Sequence, residues 1–105
     1  MVDAEVRIQV WCRKDRSAFK VYWEPIPEEF TVQPGSKFTF VMTGTPGEQS
    51  WPHVTIDSDS GDLTIWAERG LQQSRVLDGE GRLIWDEDPN ARVWRPALQD
   101  WSRPE

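Results

Sequence analysis

Cysteine and histidine are nearly absent from this chain of 105 residues, where Cys12 and His53 each stand alone. One cysteine excludes an internal disulfide, which agrees with a reducing compartment. One His and one Cys could complete a tetrahedral zinc site only with several carboxylates, so no metal and no cofactor is expected. General acid–base and nucleophilic chemistry draw most often on these two residue types, and their scarcity argues against an enzyme. Positive charge is also short: 12 Lys and Arg stand against 18 Asp and Glu, a net charge of -6, which disfavours the phosphate backbone of nucleic acids as a partner. No apolar run is long enough to span a bilayer, and the N-terminus alternates charged and apolar residues where a secretory leader would have a basic start and an apolar run. The expectation is a cytoplasmic protein without a membrane segment.

What the chain does have is alternation. With 37% hydrophobic and 29% charged residues it is globular in composition. Val6, Ile8, Val10 and Cys12 alternate with polar positions, then Phe19, Val21 and Trp23 do so after a polar turn at Lys14 to Ser17, which is the period of half-buried strands. A four-residue loop would pair Cys12 with Phe19, Val10 with Val21 and Ile8 with Trp23, ended by Pro25 and Pro27. A second hairpin is expected at Pro34-Gly35-Ser36, placing Val32 opposite Phe38 and Phe30 opposite Phe40. A third, around Ser58 to Gly61, pairs Ile56 with Leu63 and Val54 with Ile65. A fourth, around Asp78 to Gly81, joins Val76 to Leu83 and Trp85.

Turn signals at about 8 to 12 residue intervals and no helical period predict an all-β domain, a small antiparallel sandwich or barrel of about 7–8 strands built from successive hairpins. The domain is placed at residues 1–85. Residues 86–105 are read as an irregular, polar C-terminal tail, tethered by Trp94 and Trp101, with room for a helical turn near Pro96 to Trp101.

The stretch Phe30 to Phe40, with Pro34-Gly35 at its centre, resembles the strand, Pro-Gly turn and strand of cupredoxins, which implies a β-hairpin. Cupredoxin copper sites take a late cysteine between two histidines, and the early Cys12 with the single His53 departs from that pattern, so the likeness argues against copper. Glu24-Pro25-Ile26-Pro27-Glu28, followed by Pro34-Gly35 and Ile65-Trp66, resembles small uncharacterised bacterial all-β proteins across about residues 20 to 85. That likeness implies the fold and no activity.

Candidate sites follow from chemistry-bearing residues. Cys12 falls on an apolar strand face, as a small buried hydrophobe would. Asp57-Ser58-Asp59-Ser60-Gly61-Asp62 resembles the opening of a calcium loop, but that loop needs glycine sixth and Gly61 is fifth; a tight hairpin turn explains the composition. Glu24, Glu28 and Glu29 are neighbouring carboxylates of the kind a glycosidase uses, and His53 could join Glu28 or Glu29 in an enzyme, yet a solvated acidic rim is the commoner reading. The seven tryptophans are the unusual feature. Trp23 and Trp85 are placed in the core, whereas Trp11, Tyr22 and Trp66 are placed on the opposite faces of their strands, where an aromatic outer surface would bind a partner. The function expected first is a non-enzymatic protein-interaction module. Alternatives are a carbohydrate-binding β-sandwich using the same aromatics and, given the acidic balance, an immunity- or antitoxin-like inhibitor of a basic partner.

Overall fold

The computed structural model describes residues 4–45, 51–68, 70–95 and 99–102. Among these residues there are strands and no helix: β1 (Ala4–Trp11), β2 (Phe19–Glu24), β3 (Glu28–Val32), β4 (Lys37–Gly44), β5 (His53–Ile56), β6 (Leu63–Trp66), β7 (Leu71–Leu77), β8 (Leu83–Asp86), β9 (Val93–Arg95) and β10 (Asp100–Ser102). Sheet A has the order β1-β4-β7-β8 and sheet B the order β3-β2-β6-β5; β9 and β10 form a separate two-stranded ribbon. The two open sheets make a sandwich, and no barrel closes. Sheet A is antiparallel throughout, but β2 and β6 run parallel, so sheet B is mixed.

The last two expected hairpins form, the third in its expected register. Val54 opposes Ile65 and Ile56 opposes Leu63, while Val76 opposes Trp85 and Leu77 opposes Leu83. Their loops close as the composition requires. Asp78 Oδ1 accepts from the Glu80 and Arg82 amides at 3.0 and 2.8 Å, and Gly81 takes φ 81°, the left-handed position that ends a three-residue hairpin loop.

The first two expected hairpins do not form. β1 pairs with β4 over all eight of its residues, Ile8 opposite Phe40 and Val10 opposite Phe38. β2 pairs instead with β3 and β6, Val21 opposite Phe30 and Leu63. Cys12, Val10, Val21 and Trp23 still share one core, but from facing sheets and not as neighbours in one ladder. The eight residues of β1 find a partner of equal length in β4, which β2, stopped by Pro25 after six residues, does not offer.

The Pro34-Gly35 turn is likewise a corner between sheets, which corrects the hairpin implied by the cupredoxin likeness. Ser36 N–H donates to the Gln33 carbonyl at 2.9 Å with Gly35 at φ 83°. Proline fixes a negative φ ahead of the glycine, so the turn is type II, whose twist splays flanking strands; the primed turns that return a chain into one ladder need a positive φ at their first central residue. Phe30 and Phe40 meet across the sandwich instead, ring centroids 5.3 Å apart.

The tail is not wholly irregular, because Val93–Arg95 and Asp100–Ser102 pair. Trp94 meets Trp101 edge to face at 5.6 Å. The Arg82 guanidinium, bound to Asp78 at 2.8 Å, lies 4.4 Å from the Trp94 ring, so a cation–π contact ties the ribbon to the β7–β8 turn. The helical turn expected near Pro96 falls partly on residues 96–98, outside the described residues; Asp100 to Trp101 are strand.

The core is a slab of aromatic and β-branched side chains. Trp23, wholly buried, meets Phe40 at 5.4 Å and Trp85 at 5.1 Å. Thr39 and Gln73 are the buried polar residues among those described, and the Gln73 amide clamps the Ile26 backbone by accepting from N–H at 2.7 Å and donating to the carbonyl at 2.9 Å. It thereby fixes the segment Glu24-Pro25-Ile26-Pro27, in which the Glu24–Pro25 peptide is cis.

On the outer face of sheet A, Glu5 binds Arg7 at 3.2 Å and reaches over β4 to Arg75 at 3.0 Å. Val41, the register partner of both arginines, is fully buried beneath this bridge. The Arg75 hydrogen bond, then that of Arg7, holds the Glu5 carboxyl below the 4.5 of a free glutamate. A carboxyl with a lowered folded pKa contributes stability above its unfolded pKa and loses it as pH falls through the folded value. The stability gap between wild type and Glu5→Gln should therefore be present at neutral pH and close as the solution is taken below pH 4.5. Thermal melts of both proteins along a pH series check this; a gap independent of pH refutes it.

Candidate functional site

The structure separates the three aromatic residues expected on one outer face. Alternation places Trp11, 63% exposed, on the outside of sheet A, because Val10 beside it is core. Tyr22 and Trp66 lie on the outside of sheet B, where Tyr22 is opposite Thr64 and Trp66 is opposite Glu24. The outer faces of a sandwich point in opposite directions. Trp11 therefore stands on a different sheet from Tyr22 and Trp66, which remain together.

A second group of exposed apolar residues gathers around β5. The large apolar side chains left exposed among the described residues are Trp11, Ile26, Trp51, Val54, Ile56 and Trp66. Four of these belong to β5, to the residues leading into it or to its neighbour β6. All four residues of β5 are exposed. Val54 and Ile56 point to the inner side of sheet B, like their register partners Ile65 and Leu63. Ile65 is wholly buried while Ile56 is 70% exposed, so the core ends at β6 and β5 overhangs it.

Val54 and Ile56 have the partners expected from the sequence, but they lie uncovered at the edge of the sheet. A signal was available: β5 and β6 contain no charged residue, while the remaining strands of both sheets contain at least one. Only one of the two could be interior in a sheet that ends there.

A groove of about 840 Å³ opens where the end of β1, the Gln33–Ser36 corner and the β7–β8 turn meet. Trp11 stands on its wall with Gln9, Gln33, Lys37, Asp78 and Arg82. Gly79 of the β7–β8 turn lies beside Lys37, whose Cγ would be 3.4 Å from an added Cβ, an ordinary contact distance.

The residues with catalytic chemistry are dispersed. Glu28 and Glu29 are on β3 and His53 on β5, at opposite edges of sheet B. Glu29 pairs with Lys20 at 3.8 Å. His53 Nδ1 lies 3.3 Å from Glu68 Oε1, with both side chains exposed. Cys12 is buried, its thiol directed to the Ser17 carbonyl at 3.4 Å.

The Asp57–Asp62 run is a hairpin turn. Asp57 Oδ1 accepts from the Asp59 and Ser60 amides at 2.9 and 3.3 Å, and Asp62 Oδ1 accepts from the Lys20 amide at 2.8 Å. Glu68 sits at the far end of that hairpin, beside His53. Among the described residues no group of three or more His, Cys, Asp or Glu is placed to hold a metal ion.

No family model, no curated protein and no solved structure matches the chain.

Proposed function

We propose that this protein is a non-enzymatic interaction module that docks a protein partner on the β5 margin of sheet B. The single observation behind this reading is the gathering of Trp51, Val54, Ile56 and Trp66 around an edge strand that has no charge of its own. Soluble β proteins usually blunt such edges with lysine, proline or a bulge, because an unpaired strand templates pairing with another chain. Retaining apolar groups there costs solubility unless a partner covers them. Tyr22 and Trp66 extend the surface onto the outer face of the same sheet.

Ile56→Lys should abolish capture of a specific host protein by the immobilised domain, while Trp11→Ala on the opposite sheet should leave it unchanged. Affinity capture followed by mass spectrometry reads both, and retention of the same protein by Ile56→Lys would sink this reading.

A second reading is favoured by the Trp11 groove, where an exposed indole surrounded by amide, carboxylate, ammonium and guanidinium groups has the chemistry to stack on a sugar ring and hydrogen-bond its hydroxyls. Tryptophan fluorescence titrated with an oligosaccharide panel, with Trp11→Ala as control, tests it; a flat response across the panel removes it.

A further inference from the structure

We propose that β5 pairs with β5 of a second copy of this chain, antiparallel and centred on Thr55, so that two B sheets become one continuous sheet. The inference rests on the docking role of the β5 margin and names the chain that occupies the strand edge.

The sheet edges differ in a way that singles out β5. The edge strand β1 carries Glu5 and Arg7, and β3 carries Glu28 and Glu29. β8 ends in Asp86 and has β9 beside it. Only β5, among these edge strands, has no Asp, Glu, Lys or Arg, its one titratable residue being His53, and it has no proline and no register shift in its ladder. Charges of these kinds discourage a second strand from adding at the other edges, and nothing of the sort acts here.

The sequence of this edge is chemically self-complementary. In a two-fold antiparallel pair, directly opposed residues lie on the same face of the sheet, so inner-face residues must meet inner-face residues. Val54 and Ile56 are on the inner side; His53, Thr55 and Asp57 alternate to the other. Pairing centred on Thr55 sets Val54 opposite Ile56 of the second copy at both ends. It also sets Thr55 opposite itself and His53 opposite Asp57, an imidazole facing a carboxylate.

The neighbouring registers are worse. Centring on Val54 places Pro52 opposite Ile56, and centring on Ile56 places Val54 opposite Ser58 and Thr55 opposite Asp57. A shift to a centre between residues would oppose inner with outer side chains. The registers centred on Val54 and on Ile56 oppose that residue with itself and leave the other against Pro52 or Ser58; the Thr55 register alone pairs Val54 with Ile56 at both ends, covering the side chains that the monomer leaves 43% and 70% exposed. The edge is short, so the dimer is expected to be weak and concentration-dependent.

Sedimentation velocity over a wide dilution series tests the proposal on the full chain. The wild type should shift from monomer to dimer with concentration, and Ile56→Lys should remain monomeric throughout. The double variant Val54→Glu, Ile56→Lys should dimerise again, since the new carboxylate at position 54 faces the new ammonium at position 56 of the other copy only in this register. Thr55→Cys should form a disulfide-linked dimer under mild oxidation, whereas Thr31→Cys on β3 should not; this arm stands even if the double variant fails to fold. A wild type that stays monomeric at every concentration, or a Thr55→Cys variant no more readily cross-linked than Thr31→Cys, overturns the self-pairing. If the wild type stays monomeric while Ile56→Lys still loses its host protein, self-pairing falls and the docking role of the margin stands.

Discussion

Trp23→Ala will lower the unfolding free energy by about 3–5 kcal/mol, the range for emptying a fully buried aromatic site. A domain of this size has about 5–15 kcal/mol in total, so the variant will be populated in unfolded form under conditions where the wild type is native. The reason lies in its position. Trp23 is fully buried on β2 and wedges between Phe40 of β4 and Trp85 of β8, so its ring meets both an inner and an edge strand of sheet A. Its removal leaves rigid strands on both sides unable to collapse into the space.

The indole also carries an instructive flaw. Its Nε1 is buried with no acceptor among the described residues, a state that costs about 1–3 kcal/mol. Trp23→Phe removes that donor along with some ring volume, so its penalty should be well below that of Trp23→Ala. Urea unfolding followed by far-ultraviolet circular dichroism measures both. Equal penalties for the two variants would refute this expectation.

Gln73→Met will destabilise by about 1–3 kcal/mol, although methionine matches the shape and is the more apolar residue. Gln73 is 3% exposed on β7, opposite Met42 next to a register shift in the β4–β7 ladder. Its amide meets both the N–H and the carbonyl of Ile26, fastening the segment between β2 and β3 to the facing sheet. Methionine fills the space and offers neither bond. The loss should show as a lower urea midpoint together with faster amide hydrogen exchange at Ile26, and an unchanged exchange rate there would mean that the clamp does not hold the segment.

Much of the fold was legible along the chain, and its failures have physical causes. Period-two alternation identifies which side chains face inward, and Val10, Val21, Trp23, Phe40 and Ile65 are all buried there. Pairing was legible where the loop chemistry was local and decisive. The Asp-Ser-Asp-Ser-Gly and Asp-Gly-Glu-Gly loops close hairpins because an aspartate accepts from the following amides and a glycine takes the left-handed position. Pairing was illegible for β1 with β4 and for β2 with β6, since an alternating strand presents the same apolar face to a neighbour in its ladder or to the opposite sheet. The Pro34 turn held a usable clue in its fixed φ.

The candidate surface divides in the same way. That Trp11, Tyr22 and Trp66 leave the core follows from the parity of their positions. That Trp11 leaves it on the opposite side of the molecule from the other two depends on β1 and β2 belonging to different sheets. Composition and alternation settle the class of structure and the direction of each side chain, because both are properties of a few adjacent residues. Which strand becomes an edge, and hence whether Val54 and Ile56 are core or exposed, is decided by contacts between residues far apart in the chain: the facing sheet covers β6 and stops before β5.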